Sequence, residues 1–251
     1  MKRMRKLFRC VLRLGCLLAV VLAAGMLFER MVVAPALASE GADLSPEPWI
    51  AMPSNVLEPE KPKMDPDDWR LVLVNKWHAL PEGFEPETVE IERGYRFDAR
   101  AADKLTAMLD GCRAAGLHPL ICSAYRTGDY QTSLFEKQVR KQKSKGLDEE
   151  EAVAAAGEVV AVPGTSEHQL GLAVDICSMD YQLLDEGQEQ TAEYQWLRAH
   201  CAEYGFILRY PPDTTDITGI IYEPWHFRYV GEEAAAYMMA KGILLEEFLQ
   251  D

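Results

Sequence analysis

The sequence predicts an α+β fold, and three observations carry that reading. Residues 97–115 place Ala101, Leu105, Met108, Leu109 and Cys112 at helical spacing, and Gly116 stops the pattern. Apolar runs of strand length recur at residues 71–74 (LVLV), 119–125 (PLICSAY), 172–174 (LAV) and 206–210 (FILRY). The two kinds of segment are mixed without the regular strand–helix repeat of a doubly wound sheet, and no internal repeat is present. A chain of 251 residues suits one catalytic domain behind a short leader and is long enough for a substantial core.

In chain order, Lys2, Arg3, Arg5, Lys6, Arg9 and Arg13 precede an apolar run at residues 14–28, and Ala36-Leu37-Ala38 offers a small-x-small cut before Ser39. Residues 1–38 are therefore expected to be a cleaved signal peptide or a retained N-terminal membrane anchor; the apolar run is short for a span, which needs about 20 residues. Either outcome places the remainder outside the cytoplasmic membrane. Cys16 lacks the upstream apolar region of a lipoprotein. Residues 39–68, with six prolines among Glu and Asp, read as an extended linker, and residues 69–251 as the catalytic domain. Within the domain, 71–74 is the expected first strand, and Trp77-His78 lies in the loop that follows. After the helix at 97–115, the strand at 119–125 delivers Arg126 at its end. Helices are expected at 130–143, carrying Gln131, and at 148–160, with acids in the first turn to suit the helix dipole. Residues 181–193 read as loop, 194–204 as a helix closed by Gly205, and 206–210 as a strand ended by Pro211-Pro212. Two helices at 232–241 and 244–249 complete the chain.

The chemistry concentrates in residues 163–175, PGTSEHQLGLAVD. Gly171 and the run Leu172-Ala173-Val174 read as a turn feeding a buried strand, with His168 just before it and Asp175 on it. A carboxylate behind an apolar run needs a charged or metal partner, because an unpaired buried charge is expensive. Two ligands from one segment make a large part of a catalytic zinc site, which takes about three protein ligands and a water. About fifty residues on, Tyr222-Glu223-Pro224-Trp225-His226 brings a second imidazole three residues after a carboxylate. His168, Asp175 and His226 are the expected ligands. Glu223 is the expected general base and Arg126 the fixed cation for an oxyanion. Glu167 points away if its segment is extended and is left outside the site. His78, His118 and His200 lack a partner pattern and are expected at the surface.

Taken together, Ser166-x-His168-x-x-Gly171-x-Ala173-x-Asp175, the later Glu223-x-Trp225-His226, and the earlier Ser123-Ala124-Tyr125-Arg126 with Gln131 five residues on resemble the zinc D-alanyl-D-alanine carboxypeptidases of the vancomycin-resistance type. The likeness spans roughly residues 71–249, with the three motifs in the family's order. It implies the small antiparallel-sheet fold shared by D,D-peptidases and the hedgehog signalling domain, a Zn2+ cofactor, and peptidoglycan stem peptides as substrate. Ser166 and Gln131 are candidates for binding the substrate's terminal carboxylate or last amide. Ser123 and Tyr125 are candidates for shaping the pocket and Trp225 for walling it; for these three a packing role competes equally.

Residues 1–38 hold seven of the 26 Lys/Arg and one of the 40 Asp/Glu, so 19 against 39 remain, a charge of −20 on the rest of the chain. Such a surface repels nucleic acid and argues against purely electrostatic adhesion to anionic wall polymers. A monomer is expected. Outside the leader stand Cys112, Cys122, Cys177 and Cys201. Proximity in sequence and predicted elements suggests disulfides Cys112–Cys122 and Cys177–Cys201, with four buried thiols as the alternative. The leading function is removal of a terminal D-alanine. Rivals are an L,D-carboxypeptidase acting on tetrapeptide stems, a D-Ala-D-Ala dipeptidase, which the leader disfavours, and a non-catalytic zinc-stabilised binding module. The last needs neither Glu223 nor Arg126.

Overall fold

The structure, a computed structural model, describes residues 60–65 and 67–250. The expected leader and most of the linker lie outside these residues. All described residues belong to one unit, Trp49–Asp251. A four-stranded sheet sits at its centre in the order β3 (Pro119–Ser123), β4 (Ala173–Ser178), β6 (His226–Tyr229), β5 (Phe206–Leu208), with every neighbouring pair antiparallel. A separate hairpin joins β1 (Thr88–Glu92) to β2 (Tyr95–Asp98). Helices flank the sheet: α1 (Ala102–Ala114), α2 (Gly128–Lys143), α3 (Glu149–Gly157), the single turn α4 (Glu167–Leu170), α5 (Ala192–His200), the short α6 (Thr215–Thr218), α7 (Glu232–Lys241) and α8 (Leu245–Gln250). This is the α+β architecture the sequence predicts, with a small antiparallel sheet. Among the described residues no helix is long and apolar enough to cross a membrane.

Strand alternation divides the sheet into two faces. Ile121, Val174, Ile176, Phe206, Phe227 and Tyr229 join Leu105, Met108 and Leu109 of α1 and Leu197 of α5 in the main core. A second cluster packs Ile207 and Val230 against Ala234, Ala235 and Met238 of α7 and Leu245 and Phe248 of α8. Burying side chains of this size is worth about 1.5–3 kcal/mol each. The odd positions of β4, Asp175 among them, face away from the main core. Ser123 on β3 stands opposite Asp175, and Asp175 opposite His226 on β6, so three polar side chains form one row across the sheet.

Three local expectations are corrected. Residues 71–74 are not a strand: Trp69–Leu71 is a 3-10 turn, started by the Asp68 side chain accepting from the Arg70 N–H. Helical spacing does not begin at Phe97, which belongs to β2; the hairpin turns at Arg93 and Gly94, both with positive φ (53° and 82°), the geometry of a tight two-residue connection. The disulfides Cys112–Cys122 and Cys177–Cys201 are absent, and the four thiols are free. The reason is the sheet: Cys112 lies on the buried side of α1 and Cys201 in the main core, whereas the bulge at Cys122 and the odd register of Cys177 put these two on the other face. Cys122 and Cys177 neighbour each other there, and their interaction raises the first thiol and lowers the second.

Candidate metal centre and active site

The His168 segment is a helical turn rather than an extended lead-in. Ser166 occupies its N-cap, and Gly171 stops it in the left-handed region at φ 82°. A Cβ at Gly171 would stand 3.1 Å from the Pro86 ring, so glycine alone lets the chain swing from α4 into β4. His168 donates from Nδ1 to the Ala124 carbonyl at 2.8 Å, which leaves Nε2 bare and 3.3 Å from Asp175 Oδ1. Burial, then the Arg126 charge, pushes this imidazole down to about 4, so it is neutral as a ligand must be.

On β6, directly across from Asp175, His226 turns Nδ1 to the same Oδ1 at 3.1 Å. One donor atom from each of His168, Asp175 and His226 lies within 4.8 Å of the other two, and all three residues are buried. Asp175 Oδ1 is the one buried side-chain polar atom without a hydrogen-bond partner among the described residues. A bare carboxylate oxygen between two imidazole nitrogens is costly unless a cation sits there, and two neutral nitrogens with one anion fit the three protein ligands of an open zinc site. Burial alone would raise Asp175, but His168, His226 and Arg126 together hold it below the usual carboxylate range. Burial alone would lower His226, but the facing Asp175 and Glu167 carboxylates lift it to about 9, and a cation at Nδ1 would oppose that proton.

Glu223 sits in the turn before β6. Its N–H donates to the Tyr210 carbonyl and its carbonyl accepts from the His226 N–H, each at 3.1 Å. Its Oε2 lies 3.5 Å from His226 Nδ1, beside the ligand cluster. Burial lifts this carboxyl to about 8; His226 opposes the rise and Asp175 adds to it. A base in that range is suited to taking a proton near neutral pH.

Arg126 lies three residues beyond the end of β3 rather than on it. Its Nη2 donates to Asp175 Oδ2 at 2.9 Å, Nε to Ser123 Oγ at 2.8 Å and Nη1 to Gln131 Oε1 at 3.3 Å. Each terminal nitrogen keeps a second N–H for another acceptor. Ser123 and Gln131 thus hold Arg126. Gln131 is fully buried and also donates to the Ala161 carbonyl at 2.7 Å, so both ends of its amide are engaged inside the protein. Ser166 makes no side-chain bond to α4. Tyr125 is half-buried, its phenol raised by burial and then by Glu85. Trp225 is buried, and its carbonyl accepts from the Ile176 N–H at 2.9 Å.

Sequence reasoning missed Glu167. Because α4 is helical, this carboxylate turns inward, is 1 % exposed, and reaches His226. Burial would raise it, but Arg209 and Arg228 hold it below the usual carboxylate range. The signal was present: an arginine inside the apolar runs FILRY and FRYV needs a buried carboxylate partner. Tyr210, whose ring centroid lies 4.7 Å from that of His226, was also missed.

Residues 94–232 match the VanY family, D-alanyl-D-alanine carboxypeptidase. A D-alanyl-D-alanine carboxypeptidase of Enterococcus faecalis (strain ATCC 700802 / V583) is 42% identical over 197 residues, covering 78% of this chain and 71% of its own length. Two solved structures are similar at 43% identity. VanYB in complex with D-alanine-D-alanine has a TM-score of 0.67 and covers 73% of this chain and 98% of that one. A D,D-pentapeptidase VanY variant from a VanB-type resistance cassette, in complex with Zn(II), has a TM-score of 0.66 and covers 72% of this chain and 99% of that one. With the matched segment enclosing all three ligand candidates and Glu223, the chain belongs to the VanY family of D-alanyl-D-alanine carboxypeptidases.

Proposed function

We infer that the protein is a zinc-dependent D-alanyl-D-alanine carboxypeptidase that removes the terminal D-alanine from peptidoglycan stem peptides outside the cytoplasmic membrane. The observation that carries this reading is the buried His168–Asp175–His226 cluster, with its bare Asp175 Oδ1, next to a Glu223 carboxyl lifted by burial. Zinc, when bound, supplies a Lewis acid that polarises the scissile carbonyl and makes water acidic enough to attack near neutral pH. Glu223 takes the proton of the attacking water and hands it to the departing amine of D-alanine. Arg126, fixed by Asp175, Ser123 and Gln131, turns its spare N–H groups to the oxygen that gains charge. The Ser166 hydroxyl, unused by its own helix, serves the substrate's terminal carboxylate or last amide. Trp225 and Tyr125 shape the surrounding walls. The basic and apolar N-terminal sequence supports export, by a cleaved signal peptide or as an anchor. One chain carries every group the reaction needs, which supports a monomer.

Purified pentapeptide and tetrapeptide muropeptides, incubated with the zinc-loaded enzyme and read by mass spectrometry, test the substrate. The expected result is loss of one alanine from the pentapeptide alone. Cleavage of the tetrapeptide alone would replace this reading with L,D-carboxypeptidase activity, and no cleavage of either would favour a binding module.

Arg126→Ala should depress turnover by about 2.7–4 kcal/mol, the loss typical of a removed oxyanion donor. Steady-state kinetics on zinc-saturated variant would check it. A variant whose whole defect is reversed by added zinc would make Arg126 a partner of Asp175 only.

A further inference from the structure

Two arginines stand within otherwise apolar surroundings, and both are fully buried: Arg209, just past β5, and Arg228, in β6. Their common partner is Glu167, whose Oε1 accepts from Arg209 Nε at 2.7 Å and from Arg228 Nη1 at 2.8 Å. The rest of each guanidinium is also engaged. Arg209 donates from Nη1 and Nη2 to Glu246 at 2.8 and 2.7 Å, and Arg228 donates from Nη2 to the Arg70 and Val72 carbonyls at 3.0 and 2.9 Å. Asn75 Nδ2 adds a bond to Glu246 at 3.1 Å. Two cations thus balance two carboxylates. A buried network of this kind gains little over apolar packing of the same volume, so stability alone is a weak reason for it. Its one remaining acceptor, Glu167 Oε2, lies 3.4 Å from His226 Nε2, a long hydrogen bond, on the opposite side of the ring from Asp175.

We propose that Glu167 is a positioning residue for the metal centre: locked by Arg209 and Arg228, it accepts the Nε2 proton of His226 and so leaves Nδ1 bare toward the metal. The inference rests on the zinc reading above. The two histidines would then present opposite nitrogens, His168 through Nε2 because the Ala124 carbonyl holds its Nδ1, and His226 through Nδ1 because Glu167 holds its Nε2. A backbone carbonyl sets the first tautomer and a caged carboxylate the second. The cage explains why the carboxylate must be rigid. Oε1 is committed to two guanidiniums, so Oε2 has one direction left, and the Tyr210 ring beside His226 limits the imidazole's freedom to turn away.

Glu167→Gln tests this sharply. The two arginines need an acceptor and keep the amide oxygen, which turns the NH2 toward His226 Nε2. The hydrogen bond is reversed, the imidazole proton moves to Nδ1, and the ligand atom is blocked. Zinc affinity, measured by chelator competition, should fall by about 10–100-fold. Glu246→Gln is the control, because it removes a carboxylate from the same Arg209 without touching His226. It should also lower the melting temperature of the metal-free protein, yet leave zinc affinity near the parent's. Parent-like affinity in Glu167→Gln, or affinity losses in both variants that simply follow their melting temperatures, would overturn the proposal. Should Glu167→Gln fail to fold, long-range 1H–15N NMR of the histidine rings in the zinc-loaded parent gives the answer. The expected spectrum has His226 metallated at Nδ1 and protonated at Nε2, the reverse of His168. Metallation of His226 at Nε2 overturns the role of Glu167 alone, whereas rings that do not respond to zinc overturn the zinc reading along with it.

Discussion

Glu223→Gln should fold, hold zinc and lose almost all turnover. The amide has nearly the shape of the carboxylate and can keep the backbone bonds that place the residue, Glu223 N–H to Tyr210 and His226 N–H to Glu223. What it cannot do is accept a proton. Loss of a positioned general base costs about 10²–10⁴-fold. The pH dependence gives a second signature. Glu223 works only when deprotonated, so activity rises with pH as its proton leaves. Burial sets its carboxyl at about 8 without a metal, and a nearby dication favours the charged form; the acid limb of kcat/KM should therefore fall below that value. Steady-state rates, zinc content and melting temperature measured on the same preparation would check the claim. Near-parental rates in the zinc-loaded variant would pass the base role to another group.

Single substitution of His168, Asp175 or His226 by alanine should abolish both zinc retention and activity. An open site with three protein ligands has none to spare. The three variants should differ in stability. Asp175 also accepts from Arg126 at 2.9 Å, so Asp175→Ala strands a largely buried guanidinium and should cost roughly 3–5 kcal/mol, the usual result of breaking a buried pair by removing one partner. His168→Ala removes a neutral imidazole and leaves no such charge behind. Metal analysis after dialysis, with thermal unfolding of the metal-free proteins, separates the effects. Stoichiometric zinc in all three variants would remove the assignment.

The sequence by itself determined the chemistry of this site. An imidazole and a carboxylate seven residues apart, a glycine between them, and a second imidazole three residues after another carboxylate are local patterns. Local patterns survive because residue type and spacing are enough to state them. The helical period of α1, the glycine stops at Gly116 and Gly205, and the helix at Glu232–Lys241 were legible for the same reason. Tertiary structure alone decided how these pieces meet. Nothing in the spacing says that Asp175 stands opposite His226, or Ser123 opposite Asp175; strand register is a property of two segments, and one residue of slip would turn every side chain to the other face. That same register placed Cys122 beside Cys177 and away from Cys112, which a reading of nearness along the chain got wrong. Only the folded chain shows that Ser123 and Gln131 brace Arg126. Glu167 marks the boundary most clearly. An extended segment would send its carboxylate away from the metal ligands, whereas the helical turn ended by Gly171 sends it inward to Arg209, Arg228 and His226, residues some forty to sixty positions later whose buried charges only the folded chain brings into reach.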